Sequence, residues 1–253
     1  AGDGGDEVFG GYPRYQGVLW AELYRKFPSG IKRMCREKVL RYMPESSRGH
    51  HSLRRIREFV EGALLPPEEM YQGWVTYYSD GFKAELYRRE FAEQVGGFDA
   101  SSFMKACFEN ARDTDFLSVV MRVDLLSFLP HNVLAYTDRT SMAHALEVRV
   151  PFTDHKLIEL MARIPSQEKV RKLSTKRLFR RAVEDLLPKE VRGRKKIGFN
   201  PPMALWLKED LKDLVNDLLC KERVRKRGYF DYRHIERMLM LHQVGRRDFS
   251  LNI

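Results

Sequence analysis

The sequence predicts a mainly α-helical protein, and three observations carry that prediction. Apolar residues recur at three- and four-residue intervals over long stretches. Proline and glycine punctuate those stretches at helix-sized spacings. No alternating apolar–polar run is long enough to mark a strand, and the one short candidate, LEVRVPF at 146–152, is weakened by its proline. The expectation is one helical body of roughly ten helices, with no internal repeat and no low-complexity linker.

Taken in order, residues 15–27 (YQGVLWAELYRKF) read as a helix stopped by Pro28, Ser29 and Gly30. A second stretch runs over 31–43, and a third over 51–65 ends at Pro66 and Pro67. Glu68 and Glu69 favour a new helix start, because acids complement the positive end of a helix dipole. A further helix fits 83–95 and ends at Gly96 and Gly97. The clearest pattern is 115–129, where Phe116, Val119, Val123, Leu126 and Leu129 share a face and Pro130 marks the stop. Over 175–187, Phe179, Ala182, Val183, Leu186 and Leu187 line one side, Arg177, Arg180, Arg181, Glu184 and Asp185 occupy the rest, and Pro188 closes the helix. Helices over 203–219 and 231–243 complete the series.

Composition excludes several classes. At 253 residues, with 43% hydrophobic and 32% charged, the chain is long enough for a sizeable core and is neither disordered nor collagen-like. No stretch approaches 18 consecutive apolar residues, so no membrane span is expected, and the first residues lack the pattern of a signal peptide. Cys35, Cys107 and Cys220 are isolated from one another, with neither metal-ligand spacing nor a disulfide framework, which suits a reducing cytoplasmic location. The net charge of +10 points to an anionic partner. Much of it is local, since residues 171–196 hold eleven Lys or Arg against three acids.

The chemistry is concentrated at the start. Gly2, Gly4, Gly5, Gly10 and Gly11 surround Asp3, Asp6 and Glu7. Glycines let a backbone approach a ligand closely, but carboxylates repel phosphate. Both features fit if a divalent cation lies between them, since Mg²⁺ is held by one or two carboxylates plus phosphate oxygens and water. The alternative is an acidic surface turn. The loop is not a dinucleotide fingerprint, a P-loop or an EF-hand: Glu7 stands where a third glycine is needed, no Gly-Lys-Ser/Thr follows, and no acid sits at the twelfth position.

AGDGGDEVFGGYPRY resembles the second signature loop of the asparagine synthetase family, ATP-pyrophosphatase-type synthetases that include β-lactam synthetase. YTDRTSMAHALEVRVPFTDHKLIE at 136–159 is similar to the family's central motif. TKRLFRRAVEDLLPKEV at 175–191 is similar to its lysine-bearing helix, and RGRKKIGFNPPMALWL at 192–207 to its basic turn. The four segments are in the family's order, and the resemblance extends over essentially the whole chain.

The resemblance implies the helical C-terminal portion of an α/β adenine-nucleotide-α-hydrolase-like domain, with the parallel sheet largely absent from residues 1–253. The family's first signature loop does not occur here, Ala1 stands where serine is usual, and the nucleophilic cysteine of a glutaminase domain is missing. The chain is therefore expected to be an internal piece, truncated at both ends and inactive alone. The implied reaction adenylates a carboxylate with ATP, releases pyrophosphate, and passes ammonia from glutamine to the acyl group. In asparagine synthetase the acid is aspartate. β-Lactam closure, lasso-peptide closure and sugar-acid amidation remain alternatives among cyclases and amidotransferases.

By motif position, Asp6 matches the metal-binding acid, and Gly2, Gly4 and Gly5 shape the approach to pyrophosphate. Asp3 matches the catalytic acid, which is Glu in some members, and Lys176 the lysine that stabilises the transition states. Lys196 belongs to the basic turn as a second ATP or pyrophosphate contact. Glu7, Asp138, Arg139, Glu147 and Arg149 are read as substrate contacts or as a structural wall, with some of the central charges in buried ion pairs alongside Asp154. His144 reads as a packed polar residue, and Trp74, Tyr77 and Tyr78 as core or interface. The expected cofactors are ATP and Mg²⁺. The expected partners are small substrates and the missing regions of the same protein, with a homodimer as a candidate assembly and no membrane. A basic helical nucleic-acid-binding module is the rival from another class, but recognition-helix, zinc and aromatic–basic patterns are all missing.

Overall fold

The computed structural model of the chain describes residues 1–42, 51–111, 115–192 and 201–253, and only the backbone of residues 40 and 51–55. The helical expectation holds: among the described residues there is no strand, only isolated bridges between Tyr87 and Phe230 and between Arg171 and Ser174. LEVRVPF at 146–152 is extended without pairing and leads into the 3₁₀ turn Pro151–Thr153. The sequence suggested one body, whereas the chain divides into two compact units. The first holds Ala1–Phe27, Ala63–Gln72 and Ala100–Lys196, and the second Pro28–Gly62, Gly73–Asp99 and Ile197–Ile253.

In the first unit, Pro13–Arg25 begins on a proline, which loses nothing at a position whose N–H has no helical partner. Tyr15, Val18 and Ala21 recur at three-residue spacing and are fully buried. They belong to a core that also holds Tyr71, Phe108, Leu117, Val120 and Val123. Phe116–Leu126 starts at Asp115, whose carboxylate accepts the backbone N–H of Ser118 at 3.1 Å. Its expected stop before Pro130 is not observed. The chain continues through a π-helical turn, Leu129–Leu134, into Ala135–Met142. Proline is tolerated because it stands at the opening of that wider turn, where a missing donor costs little.

The resulting run, Phe116–Met142, is long and apolar enough to cross a bilayer by length and composition, which consecutive apolar residues alone did not suggest. Its first half buries Leu117, Val119, Val120, Met121 and Val123 and carries Asp124, ion-paired with Arg14, as a core helix can.

The second unit is built on Leu86, Val224, Ile235, Met238 and Phe249. The single helix expected over 83–95 is two, Asp80–Leu86 and Arg89–Gln94. Between them the chain is extended, because Arg88 donates its N–H to the Tyr229 carbonyl (2.9 Å) and the Leu86 carbonyl accepts from Asp231 (2.8 Å). Likewise 203–219 divides into Met203–Trp206 and Lys212–Leu218. Trp74 stacks on Phe59 and Tyr78 donates to the Asn252 carbonyl at 2.6 Å, while Tyr77 is exposed.

Candidate active site

The acidic glycine segment is not wholly a loop: Gly5–Phe9 forms one short helix turn. That turn separates its two acids. Asp6 faces Lys176, whereas Glu7 is turned into the interior and is 1% exposed. Val8 and Phe9 enter a cluster with Met161, Phe152 and Phe179. The three phenylalanine rings meet at centroid distances of 5.6 Å (Phe9–Phe152), 4.7 Å (Phe9–Phe179) and 5.5 Å (Phe152–Phe179). Edge-to-face rings at such distances add specificity to plain burial. One ring comes from the glycine segment, one from the central motif and one from the lysine-bearing helix, so apolar packing brings the three motifs together.

The packing is tight where glycine is found. Gly4 has a left-handed φ of 82°, and a Cβ there would lie 2.8 Å from Thr153 Cγ2. At Gly11 a Cβ would fall 1.8 Å from Asp6 Oδ1 and 2.4 Å from Lys176 Cε. Any larger residue there would have to push that acid and that lysine out of their pairing. Gly11 was noted in the sequence for its type, but only the fold shows that it makes room for the pair. Gly2 has open space around it, so packing does not require glycine there.

Lys176 Nζ pairs with Asp6 Oδ1 at 2.8 Å, with side chains 27% and 22% exposed. Lys176 precedes the Arg177–Ala182 helix in the left-handed region, at φ 51°, and donates its N–H to the Gly10 carbonyl at 3.2 Å. A non-glycine residue held there costs about 1–2 kcal/mol, and such strain concentrates at functional positions. Arg180, Arg181 and Arg192 line a concavity with Lys176, so it opens on a strongly positive wall.

Asp3 accepts a hydrogen bond at Oδ2 from Thr137 Oγ1 (3.1 Å), on the Ala135–Met142 helix. Glu7 Oε1 accepts from the Tyr12 hydroxyl at 2.6 Å. Burial pushes the Glu7 pKa up, and the Tyr12 hydrogen bond only partly opposes it. Burial and the Glu7 hydrogen bond raise the Tyr12 pKa in turn.

Other sequence candidates are elsewhere. Asp138, Arg139, Glu147 and Arg149 are all exposed. Glu147 and Arg149 do pair at 2.8 Å, but with 72% and 88% exposure, so the expected buried ion pairs are corrected to surface contacts. Surface pairs between solvated side chains brace little. Asp154 caps the His155–Arg163 helix by accepting from the N–H groups of Lys156 and Leu157. His144 is exposed and not packed. Lys196 lies outside the described residues. Thr137 was missed, because a lone threonine in a helix carries no chemical signature until its partner is known.

No group of three or more His, Cys, Asp or Glu among the described residues could hold a metal. Asp6 supplies a single hard oxygen ligand beside a lysine. That suits Mg²⁺ shared with phosphate oxygens and does not suit a metal held by protein alone.

A family model described as asparagine synthase matches residues 1–253. The glutamine-hydrolysing asparagine synthetase 1 of Bacillus subtilis (strain 168) is 28% identical over 253 residues, which are 100% of this chain and 38% of that protein. A putative glutamine-hydrolysing asparagine synthetase of Mycobacterium tuberculosis (strain H37Rv) is 28% identical over 99% of this chain and 36% of its own length. Amidase chry2 of Gibberella zeae is 30% identical over 91% of this chain and 36% of its own length. The chain thus spans well under half of these relatives. No solved structure matches it significantly.

Proposed function

The chain belongs to the asparagine synthase family, and we propose on that premise that it forms the helical side of an amide-forming, ATP-dependent synthetase site. The protein that contains it adenylates a carboxylate, aspartate above all, and releases pyrophosphate. Ammonia released from glutamine then displaces AMP to give asparagine. The observation that carries this reading is the 2.8 Å pairing of Lys176 with Asp6. A cation and an anion from motifs 170 residues apart in number meet with both side chains partly exposed, and Asp3 is three residues from Asp6.

The chemistry assigns the roles. Charge grows on the α-phosphate during adenylation, and a fixed ammonium stabilises it, which is the role of Lys176. Asp6 would hold magnesium, which neutralises charge on the departing pyrophosphate. Asp3 would take a proton from the attacking ammonia. Gly2, Gly4 and Gly5 let the backbone come close to phosphate oxygens, and Lys196 adds charge from the basic turn. The 253 residues by themselves are expected to be inactive, because they represent 38% of the Bacillus relative.

The test is aspartate-dependent exchange of pyrophosphate into ATP by the full-length protein. Lys176→Ala and Asp6→Asn should each lower exchange by about 10²–10³-fold. Exchange that survives both substitutions overturns the reading. Exchange driven by another carboxylate would change the acid and leave adenylation in place.

A further inference from the structure

We infer that Thr137 is a positioning residue that holds the Asp3 carboxylate in its working orientation. The inference rests on the role of Asp3 proposed above, and deepens it. Asp3 lies near the start of the glycine segment and is half-buried. Among the described residues its one side-chain hydrogen bond comes from Thr137, 134 positions away, at 3.1 Å.

The behaviour of the neighbouring hydroxyls sets Thr137 apart. Ala135–Met142 carries three aliphatic hydroxyls, at Thr137, Thr140 and Ser141. Thr140 donates back to the Tyr136 carbonyl (2.7 Å), and Ser141 to the Asp138 carbonyl (3.1 Å). That return to a carbonyl three or four residues earlier is the usual resort of a helical Thr or Ser. Thr137 instead donates outward, to a carboxylate.

The π-helical turn explains why it can. Leu129–Leu134 adds about one residue to the helix, which rotates everything beyond it by roughly 100° relative to the buried Phe116–Leu126 segment. Residue 137 therefore occupies a face that an uninterrupted helix would give to a neighbour. Such turns tend to be retained where a side chain must be aimed. Asp138 and Arg139, next in sequence and more conspicuous in charge, are exposed. The half-buried position between Tyr136 and Asp138 is the one that reaches the acid.

A proton acceptor works when its oxygen lies within hydrogen-bond reach of the proton it takes, and small displacements are costly. With Oδ2 held by Thr137, Oδ1 is the oxygen that would take the proton. Valine keeps the β-branched shape and removes only the hydroxyl. Serine keeps the hydroxyl and removes the methyl.

The experiment compares the parent, Thr137→Val, Thr137→Ser and Asp3→Asn in the full-length protein. The readouts are kcat and KM for ammonia-dependent amide synthesis and the thermal midpoint. Thr137→Val should lower kcat about tenfold with the KM for ATP unchanged. Thr137→Ser should recover most of that loss, and neither midpoint should move. If Thr137→Val does not fold, Thr137→Ala replaces it with the same expectation. Parental kcat in Thr137→Val beside an inactive Asp3→Asn sinks the inference and leaves the reading of Asp3 intact. Equal losses in the Val and Ser variants show a packing role and also overturn it. An active Asp3→Asn removes the premise and the inference together.

Discussion

Two ion pairs in the first unit have nearly the same length and opposite surroundings. Arg14 and Asp124 meet at 2.7 Å, with exposures of 21% and 2%. Lys176 and Asp6 meet at 2.8 Å, with exposures of 27% and 22%. The Asp124 carboxylate also accepts from the hydroxyls of Tyr15 (2.6 Å) and Tyr71 (2.7 Å). The Arg14 guanidinium lies over the rings of Tyr12 and Phe128, at 3.9 and 4.6 Å. Burial opposes the Arg14 charge, but the Tyr71 and Asp124 groups more than offset that and raise its pKa. All of these donors converge on one oxygen, Oδ2, of a carboxylate that is 2% exposed, so the group is committed to the core. Lys176, by contrast, is held in a strained backbone conformation and faces a cleft lined by arginines. Distance does not separate the two pairs. Burial and backbone strain do.

The largest effect expected from that contrast is at the brace. Asp124→Ala strips the partner from a mostly buried arginine and orphans two buried hydroxyls. It should cost about 3–5 kcal/mol in urea unfolding, whatever it does to activity. A loss below about 1 kcal/mol would place Asp124 among ordinary surface acids and erase the contrast. Lys176→Gly comes next. It gives up a partly exposed ion pair, worth about 0–1 kcal/mol, and relieves the left-handed strain, so stability should change by less than about 1 kcal/mol. Exchange activity should nevertheless be lost. A large drop in stability would make Lys176 a second brace.

Sequence reading and structure part company for physical reasons. The helical class could be read in advance, because periodicity is a local signal, and Asp6 and Lys176 were singled out on motif chemistry, which is local too. Arg14 and Asp124 were not singled out, since a buried pair 110 residues apart looks like two ordinary charges until the fold buries them. The same holds for Thr137 and Asp3. The charged central motif misled in the other direction: Asp138, Arg139, Glu147 and Arg149 are dense in sequence, yet exposed. The break at Tyr87–Arg88 also depends on tertiary pairing with residues 229–231, which no propensity encodes.

The smallest effect tests the residue between the two pairs. Tyr12 donates to Glu7 at 2.6 Å while its ring lies under Arg14, so Glu7 links the glycine segment to the brace. Burial raises the Glu7 pKa above its ordinary 4.5. The folded protein therefore retains a proton at Glu7 over a pH range in which the unfolded chain has released it. Stability from this group is complete below about pH 4.5 and falls as pH rises through the folded value. Glu7→Gln keeps an acceptor for Tyr12 and cannot ionise. The variant should match the parent in mild acid and exceed it at neutral pH. Thermal midpoints of both proteins between pH 4 and pH 8 give the comparison. If the advantage appears in acid and vanishes at neutral pH, Glu7 is ionised in the fold, and its partner is then a charge from the site rather than the Tyr12 hydroxyl that ties it to the brace.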